Sequence, residues 1–268
     1  KFKESGMFKD KVAWVVGASS GIGKETALQL SEGGAIVILS SRKQEQLEQV
    51  QRELTYPDKS LVLPLDLMDQ SNYSELVKQV VEEYGRIDFL FNNGGLSQRA
   101  EAADTSLDVD RMIMEINYFG NIALTKAVLP QMRKQQSGHI IPTSSIAGKF
   151  GFYLRSAYAA SKHALQGFYE SLLLEEAKNN IFVTIAYPGK IYTEISMSAL
   201  DGSGEAHGKM DHNQETGMPV KECVRQLLKA VQKKKKSVLI GNKEIKAVTL
   251  KRYFPRLFWK VIKKQSPT

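Results

Sequence analysis

The chain has 268 residues, 42% of them hydrophobic and 25% charged, which is enough apolar material for one large α/β core and excludes a globally disordered chain. A single cysteine, Cys223, excludes an intramolecular disulfide framework and fits a reducing compartment, and the four histidines have no ligand spacing, so no metal is expected. The net charge of +8 is no nucleic-acid signature: seven basic residues and no acidic ones lie between Ile245 and Thr268, the remainder is near neutral, and no recognition motif is present.

Taken in chain order, apolar runs of strand length alternate with helical patterns. KVAWVVG (11–17) reads as a buried strand, and IGKETALQLSEGG (22–34) as a helix that stops on glycines. AIVILSS (35–41), SLVLPLD (60–66), IDFLFNN (87–93), HIIPTSS (139–145), IFVTIAYPG (181–189) and SVLIG (237–241) are the further strands. Continuous apolar strands are buried on both faces, and strand–helix alternation predicts a single-domain, Rossmann-like doubly wound parallel sheet with helices on both faces. No repeat or linker divides residues 1–241, and 242–268 is a basic extension. The first residue is Lys1, and KFKESGMF can be the remnant of a longer N-terminus. No apolar run approaches the ~20 residues that span a bilayer.

VVGASSGIGKE places Gly17, Gly21 and Gly23 between the first strand and the first helix. Glycine lets the backbone turn and approach a ligand, and a helix N-terminus presents unpaired N–H groups to a pyrophosphate. The same turn carries Ser19, Ser20 and Ile22. After the second strand, where an acid would bond the adenosine ribose of NAD, stand Ser41, Arg42 and Lys43. An arginine grips a 2′-phosphate that a carboxylate would repel, so the cofactor expected is NADP(H).

These glycines, NNGG (92–95), Asn117, SS (144–145), YAASK (158–162) and PG (188–189) occur in that order, and over roughly residues 9–241 the chain resembles the short-chain dehydrogenase/reductase family. NNGGLSQRAEAADTSLDVDRMI is further similar to the dehydrogenase/reductase member 7-like group. Val16 stands where threonine is common and Gly94 where alanine is common; neither threatens cofactor binding. The resemblance implies that Asp66 meets the adenine amino group, that Asn92 lies beside the adenosine ribose and Gly94 follows it, and that Asn93 is a strand-stabilising amide. Pro188 and Gly189 then turn the strand away so the nicotinamide lies against it, with Ile191 and Thr193 at its carboxamide.

Tyr158 and Lys162 are one helical turn apart and share a face. In the resemblance Tyr158 is the proton donor to a carbonyl or the base for an alcohol, and Lys162 lowers its pKa and holds the nicotinamide ribose. Ser145, rather than Ser144, orients the substrate oxygen, and Asn117 supports a water beside Lys162. A binding-only module, the alternative of a catalytically idle nucleotide-binding regulator, has no need of these four together.

The polar, glycine-bearing stretch at about 190–218 is expected to be a mobile lid, with Met197, Leu200, Met210 and Met218 as lining or core contacts. The resemblance implies a small lipophilic carbonyl or alcohol as substrate and a homodimer or homotetramer. In the extension, Phe254, Leu257, Phe258, Val261 and Ile262 recur on one helical face, opposite Arg256, Lys260, Lys263 and Lys264. A basic amphipathic helix with Trp259 predicts peripheral membrane contact, with packing on a subunit partner as the alternative. The location expected is cytoplasmic or peripherally membrane-associated. Every nucleotide motif precedes Asn242, so a chain ending there is expected to keep its cofactor site.

Overall fold

Every side chain of β1 (Val12–Val16) is buried, and the strand's two-residue period sends Val12, Trp14 and Val16 into one apolar cluster and Ala13 and Val15 into another. The computed structural model, which describes residues 6–193, 195, 197–206, 208 and 216–263, builds outward from this strand. β2 (Ile36–Ser40), β3 (Ser60–Val62), β4 (Phe89–Asn92), β5 (Gly138–Pro142) and β6 (Ile181–Val183) join it in a parallel sheet of order β3-β2-β1-β4-β5-β6. β3 is shorter than the apolar run predicts because Pro64 has no N–H to give the ladder; Leu63 and Leu65 still donate to Leu39 and Ser41 at 2.9 and 3.0 Å.

The predicted strand at 181–189 is two. Thr184 interrupts it, and β7 (Ile185–Pro188) pairs in parallel with β8 (Ser237–Ile240). The chain nevertheless continues beside β5: the Thr184 N–H donates to Ile140 at 3.0 Å and the Ser144 N–H to Ala186 at 2.8 Å.

On one face α1 (Gly21–Glu32), α2 (Gln44–Glu53) and α7 (Val220–Gln232) deliver Leu30, Leu47 and Leu227 to the core. Cys223 belongs here; it has no exposed surface, and burial pushes its thiol up to about 12, which makes it a packing residue. On the other face α3 (Tyr73–Tyr84) packs beside two longer helices. One is reached through α4 (Leu107–Met114) and a wide π-turn at Glu115–Gly120, and is α5 (Asn121–Gln135); the other is α6 (Ser156–Glu175). Leu129, Tyr169 and Leu172 are among their contributions.

The extension forms α8 (Lys246–Tyr253) and α9 (Pro255–Ile262). Its predicted single apolar face is divided. Phe258, 1% exposed, packs with Ile262 against Ile146 and Phe150 of the same chain, its ring 5.1 Å from that of Phe150. Burying such a ring contributes roughly 1.5–3 kcal/mol. Phe254 sits in the break that Pro255 imposes and, with Leu257 and Val261, faces outward. Met218 and Leu200 are core contacts, whereas Met210 and Lys264 lie outside the described residues.

Candidate active site

The carboxyl ends of β1, β4, β5 and β7 border a cavity of about 840 Å3. Its floor depends on two glycines from separate motifs. Gly17 has a φ of +74°, and a Cβ there would come within 2.9 Å of the Gly94 nitrogen; a Cβ on Gly94 would fall 2.5 Å from Leu67 Cδ1. The ends of β1 and β4 are thereby pressed together, and a Cβ at Gly23 would overlap the Gly17 carbonyl. Ser20 caps α1 without a side-chain hydrogen bond, so the first-turn N–H groups of the helix are left for a ligand.

Gly17, Ser19, Ser20, Gly21, Ile22 and Gly23 all line the cavity, as do Ser41, Arg42, Asp66 and Gly94. So do Pro188, Gly189, Ile191 and Thr193 at the other end. Asp66 also closes a turn, accepting from the Met68 N–H at 3.0 Å. Two lining residues carry a buried polar atom with no partner, the Ser41 hydroxyl and the Asn93 amide nitrogen. A glycine cradle with orphaned hydroxyl and amide groups fits the ribose and phosphate groups of a nicotinamide dinucleotide.

The two asparagines of NNGG exchange the parts expected of them. Asn92 is 2% exposed and does not line the cavity. Its amide donates to Thr125 Oγ1 at 2.9 Å and to the Tyr169 hydroxyl at 3.0 Å, inside the α5–α6 layer. Strand parity is the reason: Asn92 follows Leu90 onto that face, and Asn93 is the first residue beyond the strand. Asn93 lines the cavity and accepts from Thr143 Oγ1 at 2.6 Å. Parity alone was the signal that would have found it.

Ser145 leaves β5 at the start of a tight turn. Its hydroxyl accepts from the Ala147 N–H at 3.1 Å and donates to the Pro188 carbonyl at 3.4 Å, with the phenol of Tyr158 as a neighbour. Ser144 also borders the cavity, but its hydroxyl is spent on the Lys162 carbonyl, to which it donates at 2.9 Å. Burial pushes the Tyr158 phenol up, while the neighbouring Ser145 hydroxyl and the charges of Arg155 and Arg99 pull it down. The acidifying neighbours are thus these, where the sequence suggested Lys162. Lys162 is 4% exposed, donates to the Thr143 carbonyl at 2.9 Å, and holds its ammonium 5.6 Å from the Tyr158 ring centroid. Burial brings its ammonium down to about 8. Arg155 and Thr143, not singled out in the sequence, both line the cavity.

The Asn117 side chain is engaged within the protein. It is wholly buried and absent from the cavity lining. Its carboxamide accepts from the Leu96 N–H at 2.7 Å and donates to the Leu96 carbonyl at 2.9 Å and to Ser161 Oγ at 3.0 Å. Both ends of the amide are spent on fastening the exit of β4 to α6. Its backbone carbonyl is taken by Asn121 Nδ2 at 3.0 Å. Asn117 therefore holds the floor in place instead of facing the cavity.

A family model described as short chain dehydrogenase matches residues 11–203. The chain is 40% identical over 264 residues to a dehydrogenase/reductase SDR family protein 7-like of Drosophila melanogaster, covering 96% of this chain and 80% of that one. It is 40% identical over 262 residues to dehydrogenase/reductase SDR family member 7B of Rattus norvegicus, covering 95% and 81%. Among solved structures, a short-chain dehydrogenase from Streptomyces avermitilis matches with a TM-score of 0.79 at 27% identity, over 96% of this chain and 97% of that one. A variant actinorhodin polyketide ketoreductase with NADPH matches at 0.67 and 33% identity over 70% and 74%, and an NAD+-bound xylitol dehydrogenase at 0.67 and 34% over 69% and 72%. The likeness runs through the sheet and both cavity ends, in sequence as well as in fold, and the chain belongs to the short-chain dehydrogenase/reductase family of oxidoreductases.

Proposed function

We propose that this chain interconverts a carbonyl and an alcohol on a small lipophilic substrate with NADP(H), Tyr158 carrying the proton. The observation that supports this most is the cluster in the cavity: Ser145 and the Tyr158 phenol in one lining, with the buried ammonium of Lys162 beside the ring. The cofactor, when bound, supplies or accepts a hydride. Ser145 orients the substrate oxygen and stabilises its developing negative charge. A phenol raised by burial holds its proton at neutral pH, which leaves Tyr158 ready to donate in the direction of reduction. Lys162 keeps one hydrogen bond to Thr143, which holds its ammonium beside the phenol, where it would also meet the cofactor's ribose. Leu96, Ile195 and Met197 make the substrate end apolar.

The NADP(H) preference rests on exposed Arg42 and Lys43 at the cavity edge, beside the partnerless Ser41 hydroxyl. Assembly as a homodimer or homotetramer is supported by Leu107, Phe119 and Leu174, which are exposed on the helical faces. Peripheral contact with an anionic membrane is supported by exposed Tyr253, Phe254, Leu257 and Trp259 among Arg252, Arg256, Lys260 and Lys263. No described helix is long and apolar enough to cross a membrane.

The test is a panel of lipophilic ketones and alcohols followed by absorbance of the reduced cofactor, with NADP(H) and NAD(H) in parallel and Tyr158→Phe as control. Turnover of at least one substrate, reduced by a factor of about 10² or more in the variant with cofactor affinity nearly intact, is expected. Turnover of Tyr158→Phe within a few-fold of wild type sinks the mechanism.

A further inference from the structure

The strip of chain from Pro188 to Lys190, which closes the cavity opposite the glycine-rich turn, makes its backbone hydrogen bonds with four separate parts of the protein. The Pro188 carbonyl accepts from Ser145 Oγ at 3.4 Å, the Gly189 N–H donates to Ile240 at 2.7 Å, and the Lys190 carbonyl accepts from the Met218 N–H at 2.8 Å. The fourth partner is a side chain. Glu244 Oε1 accepts from the Lys190 N–H at 3.0 Å and from the Asn242 N–H at 3.0 Å. The same carboxylate fills the space beside two glycines: a Cβ at either Gly189 or Gly241 would run into Oε1. Neither glycine has a positive φ, so their lack of a side chain is explained by this close approach and not by backbone conformation.

Glu244 is also the last acidic residue of the chain, placed at the start of an extension that is otherwise basic. Of these four hydrogen bonds, the one to Glu244 is accepted by a charged side chain, and hydrogen bonds to charged groups are stronger than neutral ones. Gly189 lines the cavity, and Lys190 follows it directly. Moving the Lys190 amide moves the wall.

We propose that Glu244 is a positioning residue for the end of the cavity that receives the nicotinamide, so that the C-terminal extension is part of the cofactor site. This rests on the cofactor reading above. It also reverses the expectation that a chain ending at Asn242 keeps the site whole, because such a chain lacks the acceptor of the Lys190 N–H.

The experiment compares two pairs of probes by fluorescence and calorimetric titration: NADPH with 2′-phospho-ADP-ribose, and NADH with ADP-ribose. The second of each pair lacks the nicotinamide. Glu244→Ala is expected to weaken the preferred dinucleotide about tenfold, the value of one hydrogen bond to a charged group. Its affinity for the matching fragment should stay within twofold. Glu244→Gln, which keeps an oxygen acceptor, should recover most of the loss. Gly241→Ala, outside the cavity lining, should push the carboxylate aside and give the same selective loss; it serves also if Glu244→Ala folds poorly. Hydrogen exchange of the Lys190 amide should accelerate in Glu244→Ala and in Gly241→Ala without cofactor present. Equal losses for dinucleotide and fragment, or no loss for either, overturn the proposal. Wild-type protein that binds neither dinucleotide nor fragment overturns the cofactor reading itself, and that result is seen before any variant is made.

Discussion

Replacing Lys162 with methionine should make the protein more stable and less active at once. Burial alone brings this ammonium from 10.5 to about 8. At about 1.4 kcal/mol per pH unit, the charged form is disfavoured in the folded protein by about 3 kcal/mol. Methionine keeps most of the stem and removes the charge, but the Thr143 carbonyl loses its 2.9 Å donor, which costs about 1 kcal/mol. The net gain at pH 7 is about 2 kcal/mol, or about 4 °C in Tm for a chain of this size. The sign with pH follows from proton counts. Below pH 8 the lysine is charged in both folded and unfolded chains and the penalty is whole. Between 8 and 10.5 the folded protein sheds the proton while the unfolded chain keeps it, so wild type gains stability on the variant. Above 10.5 the difference is gone apart from the lost hydrogen bond. Urea unfolding of both proteins at pH 7, 9 and 10.5 reads this directly, while turnover of the variant should drop by a factor of about 10² or more. A variant less stable than wild type at pH 7, or a stability difference constant across that range, refutes the reasoning.

The two asparagines should separate stability from binding. Asn92→Leu removes donors from Thr125 and Tyr169 and should cost about 1–3 kcal/mol in urea unfolding with cofactor affinity unchanged, whereas Asn93→Ala should weaken cofactor several-fold with stability nearly kept. Ser41→Asp combined with Arg42→Leu should shift preference toward NAD(H), since a charge-assisted contact to a 2′-phosphate contributes about 1.5–3 kcal/mol; equal wild-type affinity for both cofactors removes the assignment of Arg42. Co-sedimentation with anionic vesicles should fall with salt and fall again in Leu257→Ser/Trp259→Ser, two outward residues whose loss leaves Phe258 in place. If instead those substitutions change only the size of the assembly on a column, the exposed face packs on protein.

Motifs fixed in local geometry were the legible part of this chain. The glycine turn follows from its place between strand and helix, the Tyr158–Lys162 pair and the split between Ser144 and Ser145 from one-turn and two-residue periodicity, and the folded chain brings them to one cavity. Parity also separates Asn92 from Asn93, which the family pattern by itself does not. The hydrogen bonds of the Asn117 amide were beyond the sequence for another reason: what a buried amide touches depends on a partner segment, here Leu96, 21 residues away. The divided face of α9 was beyond helical periodicity, which ranks residues by direction but does not say that the body offers room for Phe258 and not for Leu257. Glu244 carries a sequence signal of its own, an acid standing ahead of a basic run.

The bond from the Lys190 amide to Glu244 joins residues 54 positions apart, and the Lys149 carbonyl takes the Lys251 ammonium across 102. During synthesis the chain emerges from its N-terminus, and its phosphate-binding turn and most of the sheet are outside the ribosome well before these partners exist. The cleft therefore acquires its two ends at different times: the glycine-rich end is complete early, and the opposite wall is fastened only when Glu244 has been made. A nascent chain that has not yet reached Glu244 has the acceptor of neither the Lys190 nor the Asn242 amide, so the sheet can form before that wall is fastened.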